Sequence, residues 1–352
     1  MNRFEYIRPT DASQAVIEAS RPGSAYLAAG TNLLDLMKGG AASPERLIDI
    51  SKLPGLDRIE RLPDGGVRIG ALVRNADLAY DSTIQKRFPG VAEALLSGAS
   101  PQLRNAASVG GNLLQRTRCA YFYDTASACN RRTPGAGCDA IGGENRLHAV
   151  LGWSAHCIAT HSSDLCVALV GLDATVELQS IEGAREISLE ALHRLPGTTP
   201  ERETALAPGE LVVAVRLPSN GAGVAAHARY LKVRERTSYA FAVVSAFAGL
   251  ELDGTTIRKA RLALGGVAAK PWRAHSAETV LEGAEVGTAT FARAADIALA
   301  DAKPSGDNAF KIVLARRLIV RALQDALSGT PNGFNALPAS PFAPPKRAPH
   351  AA

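Results

Sequence analysis

Aromatic residues are scarce in this 352-residue chain: nine Phe, seven Tyr and two Trp, 5% of the total. So few rings do not build a base-stacking platform for single-stranded nucleic acid. Charge of one sign is also in short supply. The 39 Lys and Arg exceed the 34 Asp and Glu by five, a mild excess that does not by itself argue for a nucleic-acid partner. No apolar run approaches the roughly 18–20 residues of a membrane span. The first residues, MNRFEYIRPTDASQAV, lack the basic-then-apolar order of an export signal, so the chain is expected to carry no signal of its own. Neither GxGxxG nor GxxxxGK[ST] occurs, which argues against a Rossmann site and a P-loop. The seven histidines show no HxxH or HExxH spacing, so no mononuclear metal site is expected. No acid–base pair or nucleophile constellation stands out either. The chain is not expected to transform a substrate by itself.

What remains is an ordinary soluble globular composition, 46% hydrophobic and 21% charged, long enough for two or three domains. Residues 1–53 read as a small α/β unit. A short strand ends at Pro9, Thr10–Asp11 cap a helix through Ser20, and a buried strand Ala25–Ala29 runs into a helix-like Leu33–Lys38. Arg46–Ile50 is a further strand. Residues 54–221 mix strands (Val67–Ala71, Ala174–Gln179, Leu211–Leu217) with helices near Ala76–Tyr80, Gly90–Ser97 and Leu165–Val170. Within them, residues 116–157 lack periodicity and read as a long loop, unusual unless it is functional or held by a ligand. Ser219–Gly223 is linker-like. Residues 222–329 carry three strands followed by helices at Thr288–Ala300 and Asn308–Leu327. Residues 330–352 read as an extended tail with spaced apolar anchors Phe334, Leu337 and Phe342.

Two glycine turns attract attention. Tyr26-Leu27-Ala28-Ala29-Gly30-Thr31-Asn32-Leu33 places small residues between a strand and a helix start, where backbone N–H groups can meet an anion. Ser108-Val109-Gly110-Gly111-Asn112 is the second. Each taken alone reads more readily as a plain capped turn, yet the two could clasp one pyrophosphate from two sides.

The five cysteines stand at 119, 129, 138, 157 and 166, an odd number packed into one segment. That pattern does not suit a secreted disulfide scaffold. With no CxxC pair, neither a zinc ribbon nor a bacterial ferredoxin run is matched. Spacing leaves both a local metal site and incidental buried thiols open. Arg104, Arg116, Arg118, Arg131 and Arg132 surround the segment, as a solvated basic loop or as compensation for cluster charge or a docking face.

Leu27–Leu33, Ala107–Leu113, His161-Ser162-Ser163-Asp164-Leu165 and Leu262–Ala268 occur in this order. Together they resemble the FAD-binding medium subunits of the molybdenum hydroxylases, over about residues 1–327. The block from Arg116 through Cys119, Cys129 and Cys138 resembles the subgroup with an extra [4Fe-4S] cluster, found in bacterial periplasmic three-subunit aldehyde oxidoreductases. Ala29 stands where that family commonly has Gly. The resemblance implies an α+β and α/β fold: a two-part FAD-binding domain followed by a C-terminal α+β domain. It implies FAD held by Tyr26, Leu27, Ala28, Ala29, Gly30, Thr31, Asn32, Leu33 and Leu34, with Ser108, Gly110, Gly111, Asn112 and Asp164. Leu211 or Val212 would pack near the isoalloxazine and Lys232 would lie beside the ring. It implies Cys119, Cys129, Cys138 and Cys157 as cluster ligands, and Cys166 as a buried thiol.

The implied role is electron transfer. A molybdenum-cofactor large subunit would oxidise an aldehyde or related substrate. A small subunit with [2Fe-2S] clusters would pass electrons to this chain's FAD, and an external acceptor would take them. The implied location is periplasmic, exported on a partner's signal, or otherwise cytoplasmic. Two other readings stay open: a structural [4Fe-4S] subunit without a redox-active flavin, and a zinc-stabilised interaction module.

Overall fold

In the computed structural model, residues 1–331 are described; the expected tail anchors Phe334, Leu337 and Phe342 lie outside the described residues. The chain begins with three short parallel strands in the order Glu5–Ile7, Arg46–Asp49, Ser24–Leu27, joined by the helices Ala12–Ala19 and Leu33–Lys38. Asp11 starts the first helix by accepting the Gln14 N–H at 2.9 Å, and Ala15, Val16 and Ala19 form its buried face. Between the second strand and second helix, Gly30 sits at φ +74°, and a Cβ there would come 2.6 Å from Leu34 Cδ1. Only glycine fits that corner without strain.

A five-stranded antiparallel sheet follows, ordered Ile59–Arg61, Val67–Gly70, Leu211–Leu217, Thr175–Ser180, Gly183–Ser188. Its third strand is contributed from far along the chain, because a chain of short helices (Asn75–Tyr80, Ser82–Arg87, Pro89–Ser97, Pro101–Ala106) and the cysteine-rich segment intervene. The helix Asp164–Gly171 is buried at every position, as the apolar run after Asp164 demands, and its apolar residues lie in the largest core.

The last unit is a four-stranded antiparallel sheet, Trp272–Arg273, Thr256–Gly265, Val244–Asp253, Ala228–Val233, covered by the helices His275–Leu281, Thr288–Ala298 and Phe310–Leu327. The fold is thus the mixed α/β and α+β arrangement expected. Sequence reading missed short elements such as Pro101–Ala106 and His275–Leu281, too brief to show a hydrophobic period. It took Val109–Leu113 for a plain turn, whereas Ser108 caps a five-residue helix there through the Gly111 N–H at 3.3 Å. The stretch Ser219–His227, read partly as linker, is 3-10 helical.

Charged side chains seat the last sheet on the rest. Glu93 accepts from Arg229 Nη2 at 2.9 Å and from the Tyr230 N–H at 2.6 Å. Asp173 pairs with Arg261 and with Arg273, the latter at 3.0 Å. Phe247 crosses from this sheet into the largest core and sets one ring edge against Gly171, where a Cβ would come 2.2 Å from its Cδ1. Gly171→Val forces that ring out of place. The expected cost is about 1–3 kcal/mol, read as a lower denaturation midpoint with an unchanged m-value in urea. A midpoint equal to wild type would show that the contact does not matter.

Candidate functional site

Five separate parts of the chain meet around one cleft of about 720 Å³. They are the first glycine turn (Thr31, Asn32), the second (Gly111, Asn112), the helix start at Asp164, Lys232 at a strand end, and the following segment with Glu235, Arg236, Tyr239 and Phe241. Leu95, Gly98, Ala99, Leu103 and Leu165 supply an apolar end, and Asn75, Gln115, Arg104 and Arg118 supply polar groups. Volume and mixed lining are those of a cofactor-sized site.

Asp164 and Lys232 form the most buried charged pair on its wall. Their side chains are 9% and 3% exposed, and Lys232 Nζ lies 2.7 Å from Asp164 Oδ2. Lys232 also donates to the Ser97 carbonyl at 3.3 Å, and Tyr230 donates to Asp164 Oδ1 at 2.7 Å. Burial first, and then the Asp164 charge, hold the Tyr230 phenol well above its ordinary pKa, so it remains a donor. Ser163, one residue earlier, caps the helix through the Cys166 N–H at 3.0 Å. Asp164 is therefore freed from capping to face Lys232. The pairing with Asp164 holds Lys232 on the cleft wall and away from bulk solvent.

The glycine turns contribute unequally. Among the described residues, no partner is found for the backbone N–H groups of Thr31 and Asn32, which stand on the cleft wall. At the second turn, the Gly110 N–H is bonded to Ala71 O at 2.8 Å and the Asn112 N–H to Ser108 O at 2.9 Å. Gly111 offers the cleft a wall without a side chain, and Asn112 stands beside it. Tyr26 donates to Gly209 O at 2.7 Å and packs with the first core, and Leu211 and Val212 lie in cores away from the cleft lining. Leu27, Ala28, Ala29, Leu33, Leu34, Ser108 and Gly110 stand behind the wall rather than on it.

Sequence reading missed Asn75 and gave Arg118 no cleft role. The Asn75 carboxamide Oδ1 and Arg118 Nε are both buried without a partner among the described residues, on residues that line the cleft. Such orphans are costly unless a bound group satisfies them. The unpaired Thr31 and Asn32 N–H groups and the Arg118 guanidinium are donors for an anionic group, and Asn75 Oδ1 is an acceptor for an N–H or O–H; together they fit an anionic, hydrogen-bonding cofactor such as FAD.

A second, smaller pocket lies beside the cleft. Cys119, Cys129, Cys138 and Cys157 all line it, with Arg131, Asn130, Phe122 and His156. Cys129 and Cys138 face each other across an antiparallel bridge. Donors converge on the sulfurs. His148 Nε2 lies 3.2 Å from Cys119 Sγ, and Arg131 Nε and the Ala159 N–H donate to Cys157 Sγ at 3.4 and 3.5 Å. Backbone N–H groups of Tyr121 and Phe122 favour the thiolate of Cys119, and those of Ala140, Ile141 and Ile158 that of Cys138. Left uncoordinated, Cys119 is nonetheless pushed up to about 11 by burial. A soft metal centre would reverse that balance, since coordination deprotonates a thiol.

Cys166 stands apart, fully buried in the largest core, its thiol pushed up to about 12 by burial. Its Sγ lies within 4.8 Å of ring nitrogens of His161 and His193. His193 Nε2 hydrogen-bonds Leu113 O at 2.9 Å, while the Ser163 N–H donates to His161 Nδ1 at 3.3 Å. That bond places the His161 proton on Nε2, so this ring presents a proton rather than a lone pair. The trio reads as packed neutral groups, and burial holds both imidazoles below their ordinary pKa.

The chain matches two family descriptions: FAD binding domain in molybdopterin dehydrogenase, over residues 2–220, and CO dehydrogenase flavoprotein C-terminal domain, over 229–326. It is 50% identical over 329 residues to the aldehyde oxidoreductase FAD-binding subunit of Escherichia coli K12, covering 93% of this chain and 99% of that one. The carbon monoxide dehydrogenase medium chain of Hydrogenophaga pseudoflava is 28% identical, covering 92% and 97%. A solved structure of carbon monoxide dehydrogenase from that organism superposes with a TM-score of 0.73 at 27% identity, covering 93% and 98%.

Removing one partner of the Asp164–Lys232 pair strands a buried charge. Lys232→Ala should cost about 3–5 kcal/mol, and Lys232→Ala combined with Asp164→Asn should recover part of it. Urea denaturation of both variants measures this, and equal stability of Lys232→Ala and wild type would contradict the pairing.

Proposed function

The chain belongs to the FAD-binding medium subunits of the molybdenum hydroxylases, and we propose that it relays electrons through FAD in the cleft and carries a [4Fe-4S] cluster on Cys119, Cys129, Cys138 and Cys157. The observation that carries this reading is the pairing of a cleft whose walls hold unpartnered polar groups with a neighbouring pocket lined by four cysteines. FAD, once bound, exchanges electrons singly or in pairs, which suits a relay between one-electron clusters and an external acceptor.

The chain's own residues bind and orient. Thr31, Asn32 and Asn112 would hold the cofactor's polar parts, Gly111 would let it come close to the backbone, and Gly30 would shape the turn from behind. Leu95, Leu103 and Leu165 would exclude water from the apolar end. Lys232 would serve the flavin ring as an oriented donor, its charge offset by Asp164. In the thiol pocket, the N–H groups and Arg131 stabilise anionic sulfur, and Glu203 balances Arg131 at 2.6 Å. The preference for iron over zinc rests on the resemblance of the block from Arg116 through Cys138 to the subunits that carry a [4Fe-4S] cluster.

In this reading the partners are a molybdenum-cofactor large subunit and a small subunit with [2Fe-2S] clusters, the substrate class is an aldehyde, and the complex is exported folded on a partner's signal.

Ligand assignment is tested by five serine variants. Ser in place of Cys119, Cys129, Cys138 or Cys157 removes a soft ligand and should lose iron and the cluster's electron paramagnetic resonance signal. Cys166→Ser should keep both, losing only modest stability from a buried hydroxyl. Iron loss in Cys166→Ser together with full iron in one of the other four would overturn the assignment. Zinc in place of iron would overturn the cluster.

A further inference from the structure

The segment that carries the thiols also builds one side of the cleft. Arg118 stands on the cleft wall, and its neighbour Cys119 stands in the thiol pocket. Arg118 Nη1 donates to Tyr123 OH at 2.6 Å and lies 3.4 Å from Asp35 Oδ2. Its guanidinium stacks 4.9 Å from the Phe241 ring centroid, and its Nε is buried without a partner among the described residues. Asp35 is 60% exposed, so water screens much of its pull on this cation. A buried donor on a cation, facing a cofactor-sized cleft, calls for an anionic ligand.

The same segment supports the first glycine turn from behind. The Arg116 N–H donates to Asn32 Oδ1 at 2.9 Å, and Asn32 Nδ2 lies 3.5 Å from Tyr123 OH. Leu36, on the helix that follows the turn, packs with Ala41 against Phe122 and Cys129 in a small apolar cluster. Yet between 116 and 157 the backbone has one regular element, the four-residue helix Ala120–Tyr123. A segment held by turn and side-chain hydrogen bonds, with no longer regular element, gains further order from what it ligates.

We propose that this segment is common to both sites: Arg118 binds the diphosphate of FAD, and iron held by the thiols and FAD held in the cleft each strengthen the other's binding. The inference rests on the reading that the cleft takes FAD and the thiols take iron. By linkage the two effects must be equal in size. If iron orders the loop and thereby tightens FAD, then FAD must tighten iron by the same factor.

The test uses the assembled complex, stripped of flavin, with FAD affinity read from the quenching of flavin fluorescence. Wild type with iron, wild type depleted of iron by a chelator, Arg118→Ala and Arg118→Lys are compared. Iron depletion should weaken FAD binding by about 5- to 150-fold. Bound FAD should protect iron from the chelator to a matching degree. Arg118→Ala should bind FAD about tenfold or more weakly with iron at the wild-type level, and Arg118→Lys should recover part of the loss. Unchanged FAD affinity in Arg118→Ala overturns the role of Arg118. Half-removal of the additional iron at the same equilibrium chelator concentration with and without FAD overturns the coupling, and this arm decides even if the iron-depleted protein unfolds. A wild-type complex with no iron beyond that of the small subunit overturns the cluster reading itself, and the coupling with it, while the Arg118 comparison still decides the diphosphate contact.

Discussion

The enclosure of four thiols in an irregular segment, Cys129 and Cys157 buried and Cys119 and Cys138 partly so, is the constraint on which the rest of this structure turns. Enclosed sulfur resists ionisation, as the raised Cys119 and Cys138 thiols show. The fold answers with donors from within the segment and from the residues that follow it, the Ile158 and Ala159 N–H groups. His148, Arg131 and the N–H groups around Cys138 turn toward sulfur, and Asn130 Nδ2 reaches the His156 carbonyl at 3.0 Å. The arrangement makes sense as a socket for a soft, anionic centre.

The C-terminal unit takes part in the same clamp. At the start of its last helix, Asn308 donates to His148 O and Ala149 O at 3.1 Å. Lys311, fully buried, donates to Leu147 O at 2.9 Å and to His148 O at 2.7 Å. It reaches Gly266 O, in the strand turn of its own unit, at 2.6 Å. One ammonium thus ties the end of the cysteine-rich segment to the last sheet. His148, held by its backbone, is presented to Cys119. Long-range polar contacts of this kind cost desolvation, and three carbonyl acceptors offset it.

Periodic elements were legible in the sequence, and their reasons are visible in the packing. The limits of Leu33–Lys38 and Leu211–Leu217 were readable because glycine and proline punctuate them, and the helix at Leu165–Val170 because that run is apolar throughout. The clustering of four cysteines was readable from their crowding and from family resemblance, though not from spacing. What escaped was set by tertiary contact. Asn75 and Arg118 carry no local signal, since their importance lies in one buried polar atom each, Asn75 Oδ1 and Arg118 Nε, with no partner among the described residues. The Lys232–Asp164 pair joins positions 68 apart. The second glycine turn looked like a cradle of free N–H groups, yet Ala71 and Ser108 had already taken two of them. Local pattern predicts which groups a turn exposes, but not which of them the rest of the fold consumes.

The most direct measurement is the cofactor content of the purified wild-type complex, with flavin determined by absorbance and metals by elemental analysis. The account predicts one FAD for each copy of this chain. It also predicts about four irons per copy beyond those of the small subunit. Protein without flavin, or with zinc and no additional iron, would contradict it.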